Sequence, residues 1–223
     1  MDSSAIALTL RLACVTTACL LLIATPLAWW IASGHGVARR IVQAAVALPL
    51  VLPPTVLGFY LLVGLGPLTA FGRALIRIVG HPLAFTFTGL VIGSVLFSLP
   101  FAVQPLVAGF SSVDQELIET ARVLGASPWI VFRRVVAPLS RAAFLASAVL
   151  AFTHTVGEFG VVLMLGGDIP GVTRTLSIAI YDQVQEANYA AANRAALGLV
   201  ALSFLALLIL YARSSTRREG SFV

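Results

Sequence analysis

Residues 118–140, IETARVLGASPWIVFRRVVAPLS, form a charged insert between two long apolar runs. The insert carries Glu119, Arg122, Arg133 and Arg134, although only 10% of the residues in the whole chain are charged and 59% are hydrophobic. An ordinary soluble domain has about 25% charged residues. The chain around the insert therefore has the composition of a membrane protein.

Five runs reach or approach the ~20 apolar residues that cross the hydrocarbon core of a bilayer. They are 12–31, 41–65, 85–110, 142–167 and 195–212. A signal peptide is an alternative for the first run, but Asp2 and Arg11 precede it instead of a basic cluster, so we predict a mature helix. We expect an all-α membrane protein: one transmembrane domain over residues 1–223, built as a bundle of about five helices.

All fourteen basic residues are arginine. A P-loop needs a lysine on the terminal phosphates of ATP, and Schiff-base catalysis needs a lysine amine. The absence of lysine therefore excludes both mechanisms from this chain.

The arginines indicate the orientation of the chain in the membrane. Nine of them follow the first, third and fifth runs, and five lie at the opposite ends. Because cytoplasmic loops are enriched in basic residues, the side with nine is predicted to be cytoplasmic. The N-terminus is then outside, and residues 111–138 form a cytoplasmic loop. The short tail 213–223 is also cytoplasmic, where its arginines are expected near anionic headgroups.

The 111–138 loop has the signals of a helix-turn-helix. Ser111 or Ser112 is predicted to cap the first helix, and Gly125 to end it in a left-handed conformation. Ser127 followed by Pro128 is typical of the start of a second helix.

Two interpretations of this loop remain open. It is either a folded loop that packs beneath the bundle or a docking element for a partner. Packing beneath the bundle would use the larger apolar residues Leu117, Leu124, Trp129 and Phe132.

The loop resembles the signature loop of permease subunits in type I ATP-binding-cassette (ABC) importers. That family's pattern is E-A-A, three residues, G, nine residues, I-x-L-P. At the corresponding positions this sequence has Glu119-Thr120-Ala121, Gly125, Val135 and Pro138. The departures are Thr120 for alanine, Val135 for isoleucine and Ala137 for leucine, each small or aliphatic.

In that family the loop forms coupling helices that insert into a cleft on a cytoplasmic ATPase subunit. The resemblance therefore implies a set of ATPase-docking residues in this chain. They are Glu119, Thr120, Ala121, Gly125, Ala126, Ser127 and Pro138.

Two further segments resemble the molybdate branch of these permeases. They are LPLVLPPTVLGFYLL at 48–62 and GEFGVVLMLGGDIPGVTRTLSIAIYDQVQ at 157–185. The resemblance covers about residues 5–212 and implies the type I permease fold and ATP-driven import of an oxyanion. Molybdate is preferred, and tungstate or sulfate/thiosulfate remains open.

The resemblance also implies the setting and the partners of the chain. It places the chain in a bacterial or archaeal plasma membrane, as a homodimer within the lipid bilayer. The expected partners are two cytoplasmic ABC ATPase subunits and an extracytoplasmic oxyanion-binding protein, with no nucleic acid. This chain is expected to bind no cofactor and no metal, with ATP and Mg held by the partner ATPase.

Pro49, Pro53 and Pro54 fall in the first half of the second run. Each removes a backbone donor, so we expect a kink or break. Freed carbonyls at membrane depth are tolerated only against protein or a water-filled cavity, so the break is expected to face the bundle interior. A gate and a static bend remain equal alternatives.

Glu158 is an acidic residue inside an apolar run, which is unfavourable by about 2.5 to 3.5 kcal/mol unless it faces a polar interior. Since the implied substrate is an anion, Glu158 is predicted to help close the pathway or to bond neighbouring backbone near breaks at Gly157 and Gly160. His154 lies one helical turn earlier, so the pair could share a proton or hold a metal, and interior hydrogen bonding is the preferred interpretation. Two ligands are too few for a metal site.

The segment 168–183 contains donors that suit a tetrahedral oxyanion, namely Thr173, Arg174, Thr175 and Ser177. The preferred interpretation is a short amphipathic helix at the outer interface, in contact with the binding protein.

Two other classes of protein were weighed. An intramembrane enzyme would need Glu158, His154 and Ser177 to converge as acid, base and nucleophile, without a nucleophile elbow or a metal cluster. A structural scaffold would leave the proline break, Glu158 and the capped loop unexplained. We therefore predict a transport subunit and no enzyme.

Overall fold

A computed structural model of the protein describes residues 3–34 and 36–215. Within them every regular element is helical, which confirms the all-α prediction. The helices are α1 (Ser3–Ala32), α2 (Val37–Ala47), α3 (Pro54–Leu65), α4 (Ala70–Val79), α5 (Phe87–Ser111), α6 (Gln115–Val123), α7 (Pro128–Val131), α8 (Ala137–Leu139), α9 (Arg141–Val156), α10 (Gly160–Gly166), α11 (Leu176–Gln185) and α12 (Tyr189–Ser215). Most of the predicted tail, including Arg217 and Arg218, lies outside the described residues.

Three helices, α1, α5 and α12, are long and apolar enough to cross a membrane. Two bent pairs qualify as further spans, Val37–Leu50 with Pro54–Leu65 and Pro128–Leu139 with Arg141–Val156. Counting each pair once gives five candidate spans, the number expected from the sequence, although the second pair also takes in residues 128–138 of the predicted loop. The predicted fourth run is divided, because α9 ends at Val156 and the helix resumes only at Gly160.

The centre of the bundle is formed by α1, α5 and α9, which pack against one another. Small residues of α1 are fully buried there, among them Ala13, Ala24 and Ala28. Small side chains let helix backbones approach closely, which favours association inside a membrane. The first apolar run is thus an integral helix of the core, as the sequence predicted.

The second span breaks at Pro53, as the prolines predicted. Its two halves meet at 108°, with a 3₁₀ turn over Leu48–Leu50 before the break. Pro54 begins α3, where a missing N–H costs nothing. The expectation that the break faces the bundle interior is wrong for the single chain, since Pro53 and Pro54 are exposed. The reason is that α3 packs mainly against α10 and leaves its other side uncovered.

Candidate functional site

The first helix of the 111–138 loop begins later than predicted. Asp114, and not Ser111 or Ser112, caps α6, because its Oδ1 accepts a hydrogen bond from the Glu116 N–H at 3.0 Å. The two serines still belong to the end of α5, where the Ser112 hydroxyl donates to the Gly109 carbonyl at 2.8 Å. The capping prediction for these serines is therefore wrong, because α5 extends past the apolar run.

Gly125 ends α6 in the left-handed region, with φ of 83°. Its N–H donates to the Arg122 carbonyl at 2.9 Å, and the Ala126 N–H donates to the Ala121 carbonyl at 3.0 Å. These two bonds form a Schellman motif, which satisfies carbonyls that a helix end leaves free. The prediction for Gly125 is confirmed.

Ser127 caps the second helix, since its Oγ accepts a hydrogen bond from the Ile130 N–H at 3.4 Å. Pro128 occupies the first helical position, so the helix-turn-helix prediction is confirmed. A π-helical segment, Phe132–Val136, follows and carries the chain to Pro138. Pro138 offers no N–H to the preceding turn, and a wider turn accommodates that loss.

The loop is anchored to the bundle by a few buried side chains. Ile118, Val131 and Val136 are at most 3% exposed. Phe132 packs against Trp29 and Phe110, as expected for a loop beneath the bundle.

The three other residues proposed for that packing are largely exposed, although Trp129 also stacks on Phe132 with ring centroids 5.8 Å apart. Leu117, Trp129 and Leu124 are 50%, 66% and 81% exposed. Packing beneath the bundle therefore accounts for only one face of the loop. The opposite face leaves large apolar side chains without cover from the described residues.

This uncovered face contains an open groove of about 400 Å³ at the turn between α6 and α7. Its lining includes Ala121, Gly125 and Ala126 of the predicted docking set, together with Leu124 and Ile130. Glu119, Thr120, Ser127 and Pro138 are exposed outside the groove lining. The loop thus presents an apolar groove with a polar surround.

Glu158 lies in the break between α9 and α10 and is only 3% exposed. Its N–H donates to the Thr155 carbonyl at 3.3 Å. Neither carboxyl oxygen has a hydrogen-bond partner among the described residues, so the expected bond from the side chain to neighbouring backbone is absent. Ser94 of α5 lies beside this carboxyl, but its hydroxyl does not meet the geometry of a hydrogen bond.

His154 bonds to α5 and not to Glu158. Its Nδ1 is 2.9 Å from the Ser98 Oγ, and its ring stacks on Phe101 with centroids 3.9 Å apart. The interior hydrogen bonding predicted for His154 is therefore present, but its partner is on α5, because α9 ends at Val156 and His154 and Glu158 no longer share a helix.

Sequence reasoning missed the polar contribution of α5. Ser94 and Ser98 are fully buried, and the Ser98 Oγ is also 3.2 Å from the Thr155 Oγ1. Together with His154 and Glu158 they form a buried polar layer. The spacing of four residues between the two serines on an apolar helix was the available signal, since it places both on one face.

The two helix breaks meet in space. A Cβ built on Gly160 would lie 2.7 Å from the Cβ of Pro54, so the two backbones touch only because residue 160 is glycine. The structure therefore places the break that contains Glu158 against the break at Pro53 and Pro54. Both breaks hold residues that the sequence analysis predicted for the pathway.

The predicted oxyanion donors are engaged in local structure. Thr173 is fully buried and its hydroxyl donates to the Gly166 carbonyl at 2.7 Å. Thr175 is 2% exposed and caps α11. The Ser177 hydroxyl lies 3.5 Å from the Val156 carbonyl and His154 bonds to Ser98, while the Glu158 carboxyl has no hydrogen-bond partner among the described residues. These three residues therefore do not form a catalytic group. The predicted short helix is present as α11.

Arg174 pairs with two carboxylates that the sequence reasoning did not single out. Its Nη2 donates to Asp168 Oδ2 at 2.7 Å and its Nε to the other oxygen of the same carboxylate, while Asp182 is 3.6 Å away. The hydrogen bond from Arg174 lowers the pKa of Asp168. Burial, and then the neighbouring Asp168, raise the pKa of Asp182. Arg174 is thus a structural clamp in this conformation.

Known proteins share this fold and sequence. A family model described as "Binding-protein-dependent transport system inner membrane component" matches residues 24–218. A bacterial alginate ABC transporter has a chain of the same fold, with a TM-score of 0.75 at 20% identity over 93% of this chain and 76% of that one.

Curated relatives are permease proteins. The chain is 51% identical to the molybdenum transport system permease protein ModB of Azotobacter vinelandii, over 97% of this chain and 95% of the relative. The corresponding protein of Escherichia coli K12 is 35% identical over 82% and 81%. A probable sulfate transport system permease protein of Chlorokybus atmophyticus is 32% identical over 82% of this chain and 63% of the relative. The chain is therefore a multi-pass member of the binding-protein-dependent transport system inner membrane component family, the permease subunits of ABC importers.

Proposed function

We propose that the chain is the permease subunit of a molybdate importer. The observation that carries this proposal is the 51% identity to a molybdenum permease across 97% of the chain. The sulfate relative at 32% identity makes sulfate the second candidate. Tungstate remains open because it is a tetrahedral oxyanion like molybdate.

Two copies of the chain enclose the pathway in this proposal. The Pro53–Pro54 break is exposed on the single chain, although broken backbone at membrane depth needs protein or a water-filled cavity beside it. A second copy facing this break supplies that cover. The break then lies at the pathway and not in contact with lipid.

Glu158 acts at this pathway as a closing element. It sits at the junction of the two breaks, buried together with Ser94 and lacking a described hydrogen-bond partner. A carboxylate would repel an oxyanion, so Glu158 is unsuited as a direct ligand. A small movement of α10 against α3 at the contact between Gly160 and Pro54 changes what the carboxyl meets, which is what a gate requires.

The groove between α6 and α7 docks on the ATPase. Leu124 and Ile130 would be desolvated there, and exposed Glu119 and Arg134 offer charged contacts beside them. Each of two ATPase subunits receives one loop, and ATP with Mg is bound by those subunits. Their closure on ATP would move the loops and switch the pathway between outward and inward access.

The arginine distribution supports the orientation, with the N-terminus outside and the loop in the cytoplasm. On the outer side, α11 and the Arg174 clamp form a firm surface for the oxyanion-binding protein. The binding protein contributes much of the selectivity in this arrangement.

Reconstituted complexes of permease, ATPase and binding protein test the substrate. ATPase activity should rise with molybdate and respond less to sulfate at equal concentration, with tungstate as the third arm. Stimulation by sulfate alone would contradict the molybdate proposal and favour the second candidate. If none of the three oxyanions changed the ATPase activity of the complex, the result would contradict oxyanion import itself.

A further inference from the structure

A cavity of about 260 Å³ lies where α1 ends and α2 begins, beside the end of α5. It is on the same side of the bundle as the 111–138 loop, since Ser111 at the end of α5 lines it. Its polar lining comprises Gly34, Gly36, Arg39, Arg40, Gln43 and Ser111. None of these residues belongs to the docking loop groove or to the two helix breaks.

Arg39 has unsatisfied hydrogen-bonding capacity in this cavity. Its Nε is buried and has no hydrogen-bond partner among the described residues. A buried donor without a partner is unfavourable, and more so when it is charged. The lining contains no aspartate or glutamate within the part of the chain that the structure describes. The cavity therefore has positive charge and lacks a protein anion to balance it.

The position of the Arg39 guanidinium is set by two neighbours. It lies 5.4 Å from the centre of the Trp30 ring, a cation–π distance. It also rests against Gly34, where any Cβ would collide with Nη1. Glycine at position 34 thus keeps the guanidinium in the cavity.

Other donors surround the same space. Arg40 adds a second guanidinium, and Gln43 lies one helical turn further along α2. Gly36, which precedes α2, has no side-chain cap for the first-turn amides. Phosphate oxygens suit such a set, because arginine forms charge-assisted bonds with them. The lining is therefore chemically matched to a tetrahedral phosphate group.

The adjoining face of α1 indicates what carries that phosphate. Leu22, Ile23 and Trp30 are 77%, 48% and 41% exposed. Ile23 and Trp30, seven residues apart, share one side of the helix, which leads to Arg39 beside Trp30, and Leu22 borders that side. Tryptophan is enriched at the headgroup level of membranes, and basic pockets between helices bind anionic headgroups.

We propose that Arg39 and Arg40 bind the phosphate of an anionic phospholipid, whose acyl chain lies along Leu22, Ile23 and Trp30. A free tetrahedral oxyanion is the other source of the same chemistry. The site stands apart from the proposed function, since it uses neither the pathway nor the docking groove. The lipid would fix the turn between α1 and α2 at the start of the broken second span.

The test uses the full permease–ATPase complex in detergent, with lipid removed. Binding of phosphatidylglycerol, of phosphatidylcholine and of inorganic phosphate alone is measured by native mass spectrometry and by thermal shift. Phosphatidylglycerol should bind and raise the melting temperature, and phosphatidylcholine should do so far less. Arg39→Gln should weaken phosphatidylglycerol binding about tenfold, the effect of losing one charge-assisted contact.

Matched variants separate the site from general charge and folding effects. Arg77→Gln removes the same charge from an exposed position of α4 and should leave binding unchanged. Gly34→Ala displaces the Arg39 guanidinium without removing charge and should weaken binding in the same direction. Gly64→Ala, where an added Cβ meets open space, is its control. If the Arg39→Gln complex does not assemble, phosphatidylglycerol binding by the Gly34→Ala complex tests the proposal instead.

Each outcome decides between the sources. Dependence on Arg39 seen with inorganic phosphate but not with phosphatidylglycerol would support the phosphate site and assign it to a free oxyanion. Equal phosphatidylglycerol binding by the Arg39→Gln, Gly34→Ala and control variants, with no effect of inorganic phosphate, would overturn the proposal.

Discussion

The Ser98 hydroxyl on α5 lies 2.9 Å from Nδ1 of His154 on α9 and thereby links the two central helices of the bundle. The same hydroxyl approaches the Thr155 Oγ1 at 3.2 Å. Polar links of this kind matter inside a membrane, because water cannot satisfy a group that loses its partner. The link also holds α9 just before the break that contains Glu158.

Ser98→Ala should lower the free energy of unfolding by about 0.5 to 2 kcal/mol, since it leaves His154 without this bond. Unfolding in detergent with increasing denaturant measures the change. Ser112→Ala is the matched control, because that exposed hydroxyl bonds only within its own helix. Equal stability of the two variants would show that the link between α5 and α9 contributes nothing.

Gly125→Ala should weaken or abolish copurification of the ATPase. Alanine in the left-handed region costs about 1 to 2 kcal/mol, so the turn between α6 and α7 would change shape. Gly64→Ala serves as control, since it adds the same methyl in α3 without a clash. A normal amount of ATPase bound to Gly125→Ala would undermine the docking role of this loop.

Glu158→Gln should leave assembly intact and alter transport or its coupling to ATP hydrolysis. The substitution keeps the shape of the side chain but replaces the titratable carboxyl group with a neutral amide at the junction of the two breaks. Uptake and ATPase rates in proteoliposomes measure the effect, with exposed Glu116→Gln as the control. Wild-type behaviour in both assays would remove Glu158 from the mechanism.

Arg174→Ala should reduce stability at neutral pH and shift the acid-side loss of stability to higher pH. The hydrogen bond from Arg174 lowers the folded-state pKa of Asp168. This contribution is therefore present above the usual carboxyl pKa and is lost as pH falls through the lowered value. Melting temperature measured across the acidic range tests the shift, and identical profiles for variant and wild type would contradict it.

Asp182→Asn should change the stability in the opposite direction to Arg174→Ala, so that the variant is more stable than the wild type at neutral pH. Burial and Asp168 raise the pKa of Asp182, so the folded state binds this proton more tightly than the unfolded state. Ionisation then costs the folded state stability as pH rises, and asparagine does not ionise. A melting temperature that falls at neutral pH would show that the attraction to Arg174 outweighs burial.

Uptake by Arg174→Ala with the binding protein present is a separate check, since unchanged uptake would count against a substrate role for Arg174.

Local signals in the sequence predicted several features correctly. Composition gave the membrane class, and Pro53 with Pro54 gave the broken second span. Gly125 and Ser127 gave the turn and the second cap of the 111–138 loop. The break, the turn and the cap each depend on the backbone chemistry of one or two residues, so each is decided within a few residues of chain.

Other features of the site depended on helix ends that the apolar runs conceal. Gly157 and Gly160 predicted a break within the run 142–167, but they did not show that the end of α9 at Val156 would separate the side chains of His154 and Glu158. Likewise α5 continued through Ser111, which moved the cap of α6 to Asp114. Hydrophobicity sets where a span lies, but it does not report where the backbone leaves the helix.

The sequence by itself determined the class of protein, the approximate spans, the shape of the 111–138 loop and the place of the proline break. Only the tertiary structure decided which groups meet: Ser98 with His154, Gly160 with Pro54, and the Leu176 N–H with the Thr9 Oγ1 across 167 positions of chain. The physical reason is that a cap or a break is fixed by the residue's own backbone preference. A buried polar group instead takes whatever partner the packing of distant helices brings within hydrogen-bond reach.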